Sequence, residues 1–105
     1  LNKLIIPQSS TQLIISSGVI TVTNTFHSVR VESGSTDDLD TINGGVDGQV
    51  LFIKSHDDNN IVIKNNADNI LTNDGNDITL DSIRDIAMLI YQSDKWIQLF
   101  YSNID

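Results

Sequence analysis

The chain has 105 residues and a mass of 11.6 kDa, enough for one domain. With 39% hydrophobic and 19% charged residues it has the composition of a globular protein rather than a disordered tail or a membrane span. The formal charge of −8, with only six Lys and Arg, argues against tracking of nucleic-acid phosphates and against docking on an anionic membrane. No cysteine is present, which removes disulfides, thiolate metal sites and thiol nucleophiles together.

The apolar set is strongly biased, with 16 Ile, 9 Leu and 7 Val against 2 Ala and 1 Met. Side chains branched at Cβ are stiff and pack well on a pleated surface. Thirteen Asp and eleven Asn stand beside a single Glu, the composition of turns rather than of helix surfaces. An all-β fold follows.

Residues 1–11, LNKLIIPQSST, read as an extended N-terminal arm ahead of a single β domain over 12–105. Leu4, Ile5 and Ile6 form an apolar cluster closed by Pro7, which holds Ile6 extended. Such a segment either packs back on its own domain or reaches a neighbouring subunit. The chain opens with Leu1 rather than Met, which suits a processed chain or a piece of a longer one.

Short period-2 runs follow, separated by Gly, Asn, Asp and Ser. Strands are predicted at 12–16, 18–23 and 26–32, the last with Phe26, Ser28 and Arg30 on one face and His27, Val29 and Val31 on the other. Residues 33–40 (SGSTDDLD) read as polar loop, and 39–42 as a turn of helix or a short strand. Asn43-Gly44-Gly45 and Asp47-Gly48 supply turns. Residues 49–54 are apolar on both faces and predict a central, fully buried strand.

Strands are predicted again at 60–64, 69–71 and 77–80. Residues 86–92 and 95–101 form a hairpin across Ser93-Asp94, and 81–85 is the only helical candidate. Eight to ten strands of this length predict an antiparallel β-sandwich or jelly roll. No repeat of 20 to 50 residues is visible.

Catalytic chemistry finds little to work with. The sequence carries no nucleophile elbow, zinc-protease, P-loop or dinucleotide fingerprint, so no catalytic, cofactor or metal residue is assigned. Asp37-Asp38 and Asp57-Asp58 could form a hydrolase dyad but read better as solvated loop carboxylates. His27 reads as a residue of an outer strand face or a subunit contact. Asn73, Asp74, Asn76 and Asp77 surround Gly75 with oxygen ligands of the kind calcium takes, yet the closing bidentate Glu is missing and a plain Asx turn is the simpler reading. Trp96, facing Tyr91 across the hairpin, reads as a core or interface plug before a sugar platform. Phe100 and Tyr101 cannot both point inward, so one meets solvent or a partner.

The order of the pieces carries a resemblance. The chain runs Gly18-Val-Ile-Thr21, Phe26-His-Ser-Val29, Thr36-Asp-Asp-Leu-Asp-Thr41 and Ile42-Asn-Gly-Gly45. It continues with Asp47-Gly-Gln-Val-Leu-Phe-Ile53, Ile61-Val-Ile-Lys64, Asp77-Ile-Thr-Leu80 and Met88-Leu-Ile-Tyr91 to Trp96. Over residues 18–101 it resembles a β-structured module of tailed-bacteriophage structural proteins, of capsid decoration (cement) or tail-fibre and spike type. The resemblance implies a homotrimer about a threefold axis and a place in the virion, on the capsid or the tail. Two departures stand out. Residues 65–76 are Asn/Asp-rich where the module is Gly-rich, and no His-x-His pair is present, so the iron sites of some phage fibres are not carried over.

The expectation is therefore a non-enzymatic virion structural protein, a homotrimer decorating or stabilising the capsid. Its contacts with the major capsid protein, other virion proteins or sister subunits fall on Leu4, Ile5, Ile6, Pro7, Trp96, Phe100 and Tyr101. The alternative is a tail-fibre or tailspike domain binding a host-surface glycan or receptor through Trp96, Tyr101 and nearby loops. No nucleic acid, membrane or cofactor is expected. A hydrolase is the remaining possibility.

Overall fold

A computed structural model describes residues 3–103. Leu1 and Asn2 at the start of the arm and the last two residues of the β domain lie outside the described residues. Among the described residues every regular element is a strand: β1 (Leu13–Ile14), β2 (Val19–Thr21), β3 (Phe26–Arg30), β4 (Thr36–Leu39), β5 (Thr41–Asn43), β6 (Val50–Ser55), β7 (Asn60–Ile63), β8 (Ile70–Leu71), β9 (Ile78–Leu80), β10 (Ile86–Gln92) and β11 (Lys95–Ser102).

The all-β expectation holds, but the antiparallel sandwich does not. Parallel ladders join β1 to β3, β3 to β6, β2 to β5, β4 to β7 and β8 to β11; only β6–β10, β10–β11 and β7–β9 are antiparallel. The chain instead winds in solenoid-like coils. Val19 pairs with Thr41, 22 residues on; Thr36 pairs with Asn60, 24 on; and Phe26 pairs with Phe52, 26 on. Corresponding strands stack into three sheets, ordered β1-β3-β6-β10-β11-β8, β4-β7-β9 and β2-β5. Beyond the turn at 73–77 the direction reverses. β9 runs back along β7 and β10 along β6, closing the stack with antiparallel strands.

This structural repeat has no counterpart in the sequence because a coil demands only an inward aliphatic at alternate positions. Ile20 and Ile42, Leu39 and Ile63, and Leu51 and Leu89 fill equivalent inward positions of stacked strands and are buried. The core they form runs the length of the stack, within a molecule of 41 × 29 × 24 Å.

Other expectations are corrected locally. Residues 36–39 form β4 within the stretch read as loop, because the parallel ladder to β7 recruits a polar Thr-Asp-Asp run whose one buried side chain is Leu39. Residues 81–85 form a turn rather than helix, with Asp85 N–H donating to Ser82 O at 3.0 Å. β6 is central, between β3 and β10, yet buried only at alternate residues. Eleven strands appear among the described residues, more than the eight to ten expected.

Candidate functional site

Inward residues of the six-stranded sheet are fixed by the core. His27 and Val29 on β3, Leu51 and Ile53 on β6, Ala87 and Leu89 on β10, and Trp96 on β11 all face inward and are buried. Side chains alternate along a strand, so the intervening residues form the outer face. There Phe26 pairs with Phe52, Phe52 with Met88, and Met88 with Phe100. Four large apolar side chains thus form one line across four strands. The rings of Phe26 and Phe52 lie 6.0 Å apart and tilted by 45°. One step along, Val50, Ile90 and Ile97 form a second apolar line.

The register slips between Met88 and Leu89, so Gln98 opposes Leu89 and Phe100 opposes Met88, leaving Leu99 without a partner opposite. This bulge puts two consecutive apolar residues on the solvent side: Leu99 is 45% and Phe100 46% exposed. Phe26, Phe52 and Met88 are half-buried, so the open end of this apolar line, at Leu99 and Phe100, is the candidate interaction surface.

Charge is distributed to match. β3, β6, β10 and β11 contain none of the 14 acidic residues but hold Arg30, Lys54 and Lys95, half of the six basic ones. The acidic residues gather elsewhere. Lys64 pairs with Asp77 at 2.9 Å, and Asp77 first, then Asp38 and Asp40, raise its pKa above the ordinary lysine value. Asp77 is held below the ordinary carboxylate range by the Asn65 N–H and then by Lys64.

The residues expected at a contact separate into two groups. Leu4 (87% exposed), Ile5 (67%), Pro7 and Phe100 lie on the surface, with Ile6 half-buried. Trp96 is in the core, wholly inaccessible, which bears out the core-plug reading and corrects its place among the contact residues. Its indole Nε1 donates to Ile42 O at 3.0 Å and its ring meets Tyr91 edge-on at 5.0 Å. Tyr101 is half-buried, with its hydroxyl donating to Thr79 O at 2.8 Å, so Phe100 is the member of that pair that meets solvent.

Sequence reasoning missed Phe26, Phe52, Met88 and Leu99. Their apolar character was visible, but their alignment depends on a register between strands up to 74 positions apart in the chain.

His27 is likewise corrected: it is 1% exposed and faces inward. Its Nε2 accepts the N–H groups of Thr23 at 3.1 Å and Asn24 at 3.0 Å, tying down the turn that feeds β3. A nitrogen accepting two N–H donors carries no proton, so the ring is neutral with its hydrogen on Nδ1. Nδ1 is buried without a hydrogen-bond partner. Burial pushes the His27 pKa below the ordinary 6.5.

The acidic turns hold themselves. Asp74 Oδ1 accepts from Asn76 N–H at 3.1 Å, an Asx turn, while Asn65 accepts from Thr72 and donates to Gly75 O at 3.1 Å. Asp37 accepts from the N–H groups of Glu32 (2.7 Å) and Asp38 (2.9 Å), and Asp57 from that of Asn59 (3.0 Å). These carboxylates have backbone partners and do not pair with one another. Among the described residues no group of three or more His, Asp or Glu side chains is arranged to hold a metal, and no pocket is found.

No family model, curated protein or solved structure matches the chain.

Proposed function

We propose that the chain is a non-enzymatic structural protein that assembles with copies of itself through the outer face of its six-stranded sheet. Its setting is the virion of a tailed phage, where a homotrimer decorates or stabilises the capsid. The observation that carries the assembly reading is the line Phe26–Phe52–Met88–Phe100, apolar and in register, half-buried over its first three members and exposed at Phe100 and the neighbouring Leu99. A small domain buries a limited share of its surface, and a closed ring of subunits covers such a face at no cost in solubility. The virion setting rests on the sequence resemblance.

One observation favours the fibre or spike alternative. Parallel coils stack along an axis, and a stack of this kind lengthens by adding coils, as a fibre requires. Recognition of a host glycan would then fall to surface loops, since Trp96 is enclosed.

Light scattering coupled to size exclusion tests the assembly directly. At low micromolar concentration the expected mass is near three chains, and Phe100→Asp, at an exposed position, should lower it towards one chain with the circular dichroism unchanged. A wild-type mass of one chain would overturn the proposal.

A further inference from the structure

We infer that the occupant of this outer face is the N-terminal arm of a second copy, with residues 3–7 of one chain lying across the Phe26–Phe52–Met88–Phe100 line of the next. This rests on the assembly reading above and names the contact within it.

Two apolar features of the same molecule remain partly open to solvent: the start of the arm, and the sheet face where it ends at β11. Leu4 and Ile5 are 87% and 67% exposed in a segment that forms no strand. The sheet face ends in Leu99 and Phe100, both nearly half exposed. The place where the arm departs relates the two. Ser9 N–H donates to Phe26 O at 2.9 Å, so the chain leaves the sheet beside the first member of the line. Pro7 then disfavours helical backbone at Ile6, and Leu4 and Ile5 before it are left largely exposed by their own chain.

Length fits as well. Five extended residues span about 16 Å, and four adjacent strands span about 14 Å from first to last. The arm is therefore long enough to cross the whole line. Its composition also suits the apolar line, since Leu4, Ile5 and Ile6 are apolar. An arm given to one neighbour and received from another makes a head-to-tail contact, the kind that closes into rings.

The absence of cysteine allows a clean test. Full-length Ile5→Cys and Phe100→Cys chains are refolded together and oxidised with oxidised glutathione, which takes up the electrons of the two thiols as the disulfide forms. The expected product is a mixed disulfide of the two variants at twice the chain mass, several-fold more abundant than with Ile83→Cys, an exposed position off this face, in place of Phe100→Cys. Deleting residues 1–7 should lower the solution mass to one chain. A mixed disulfide no more abundant than the Ile83→Cys control overturns the arm contact. If the wild type still measures three chains in that case, assembly stands and uses another contact; if it measures one, both readings fall.

Discussion

The coils formed by β1 to β7 and the closing strands β9 to β11 bury the same kinds of side chain but reach their pairing by different routes. In the coils, partners lie 16 to 26 residues apart and run parallel, so each coil needs a long excursion before a hydrogen bond is gained. In the closing hairpin, Gln92 and Lys95 pair across two residues. The coils accordingly depend on side chains that fix their corners. His27 accepts from two backbone N–H groups, and Asn69 accepts from Ile42 N–H at 3.0 Å and donates to Ile42 O at 2.8 Å. That amide supplies β5 with the hydrogen bonds of a neighbouring strand. Parallel stacking here is held by corners, whereas the β10–β11 hairpin is held by its local turn.

Trp96 joins the two regions, since it sits on β11 while its indole N–H reaches Ile42 O on β5. Trp96→Ala should have the largest effect, about 3–5 kcal/mol, through the cavity and the lost hydrogen bond. That is a large share of a total stability of roughly 5–15 kcal/mol. Denaturant titration measures it, and a loss below about 1 kcal/mol would show that the two regions are not joined there.

Corner-specific changes come next. Gly44 has φ +97°, and a Cβ there would stand 2.5 Å from Val22 O, a backbone atom that cannot swing aside. Gly45 lies against the Tyr91 ring, where a Cβ would come within 2.5 Å of Cδ1. Gly44→Ala should cost about 1–3 kcal/mol through strain and overpacking. Asn69→Ala should cost a similar 1–3 kcal/mol by leaving the Ile42 N–H without its acceptor, while Ile42 O keeps the Trp96 indole. Substitutions at solvent-facing hairpin positions such as Gln92 should change stability by less than about 0.5 kcal/mol. Equal losses at corners and hairpin would erase the distinction.

Acid should weaken the coils selectively. His27 binds a proton less readily folded than unfolded, so its contribution is fully present above about pH 6.5 and is lost as the pH falls through the lower folded pKa. Protonation puts a hydrogen on Nε2, where two N–H donors already point. Unfolding midpoints of the wild type should fall between pH 7.5 and 5, and His27→Gln, whose side-chain oxygen can accept but does not titrate, should flatten that dependence. A His27 resonance titrating at or above 6.5 would contradict the neutral, accepting ring.

What was legible in the sequence follows the same division. The 86–101 hairpin could be read with its turn because pairing, register and turn lie within one short window. Individual strands of the coils could be read from alternation, but their parallel partners could not, since offsets of 22, 24 and 26 residues leave no common repeat in the sequence. Thr36-Asp-Asp-Leu39 has the composition of a loop and is a strand only because β7 lies beside it. The outer apolar line was out of reach for the same reason. Phe26 and Phe100 acquire their shared meaning only when β6 and β10 come between them.

The smallest effect sharpens the comparison from the hairpin side. Ser93 and Asp94 both adopt positive φ, 52° and 65°, which is the two-residue turn whose twist matches that of the flanking strands. Neither residue is glycine, so each bears a steric cost that glycine at this position would avoid. Asp94→Gly removes one of these costs but adds freedom to the unfolded chain, and the two effects nearly cancel. The net change should be a gain of about 0.5 kcal/mol or less, without any change in solution mass. If the turn sets the hairpin, that gain should appear mainly as faster folding, because a two-residue closure forms early. A gain expressed only in slower unfolding would mean that the long-range coils form first and the hairpin closes onto them.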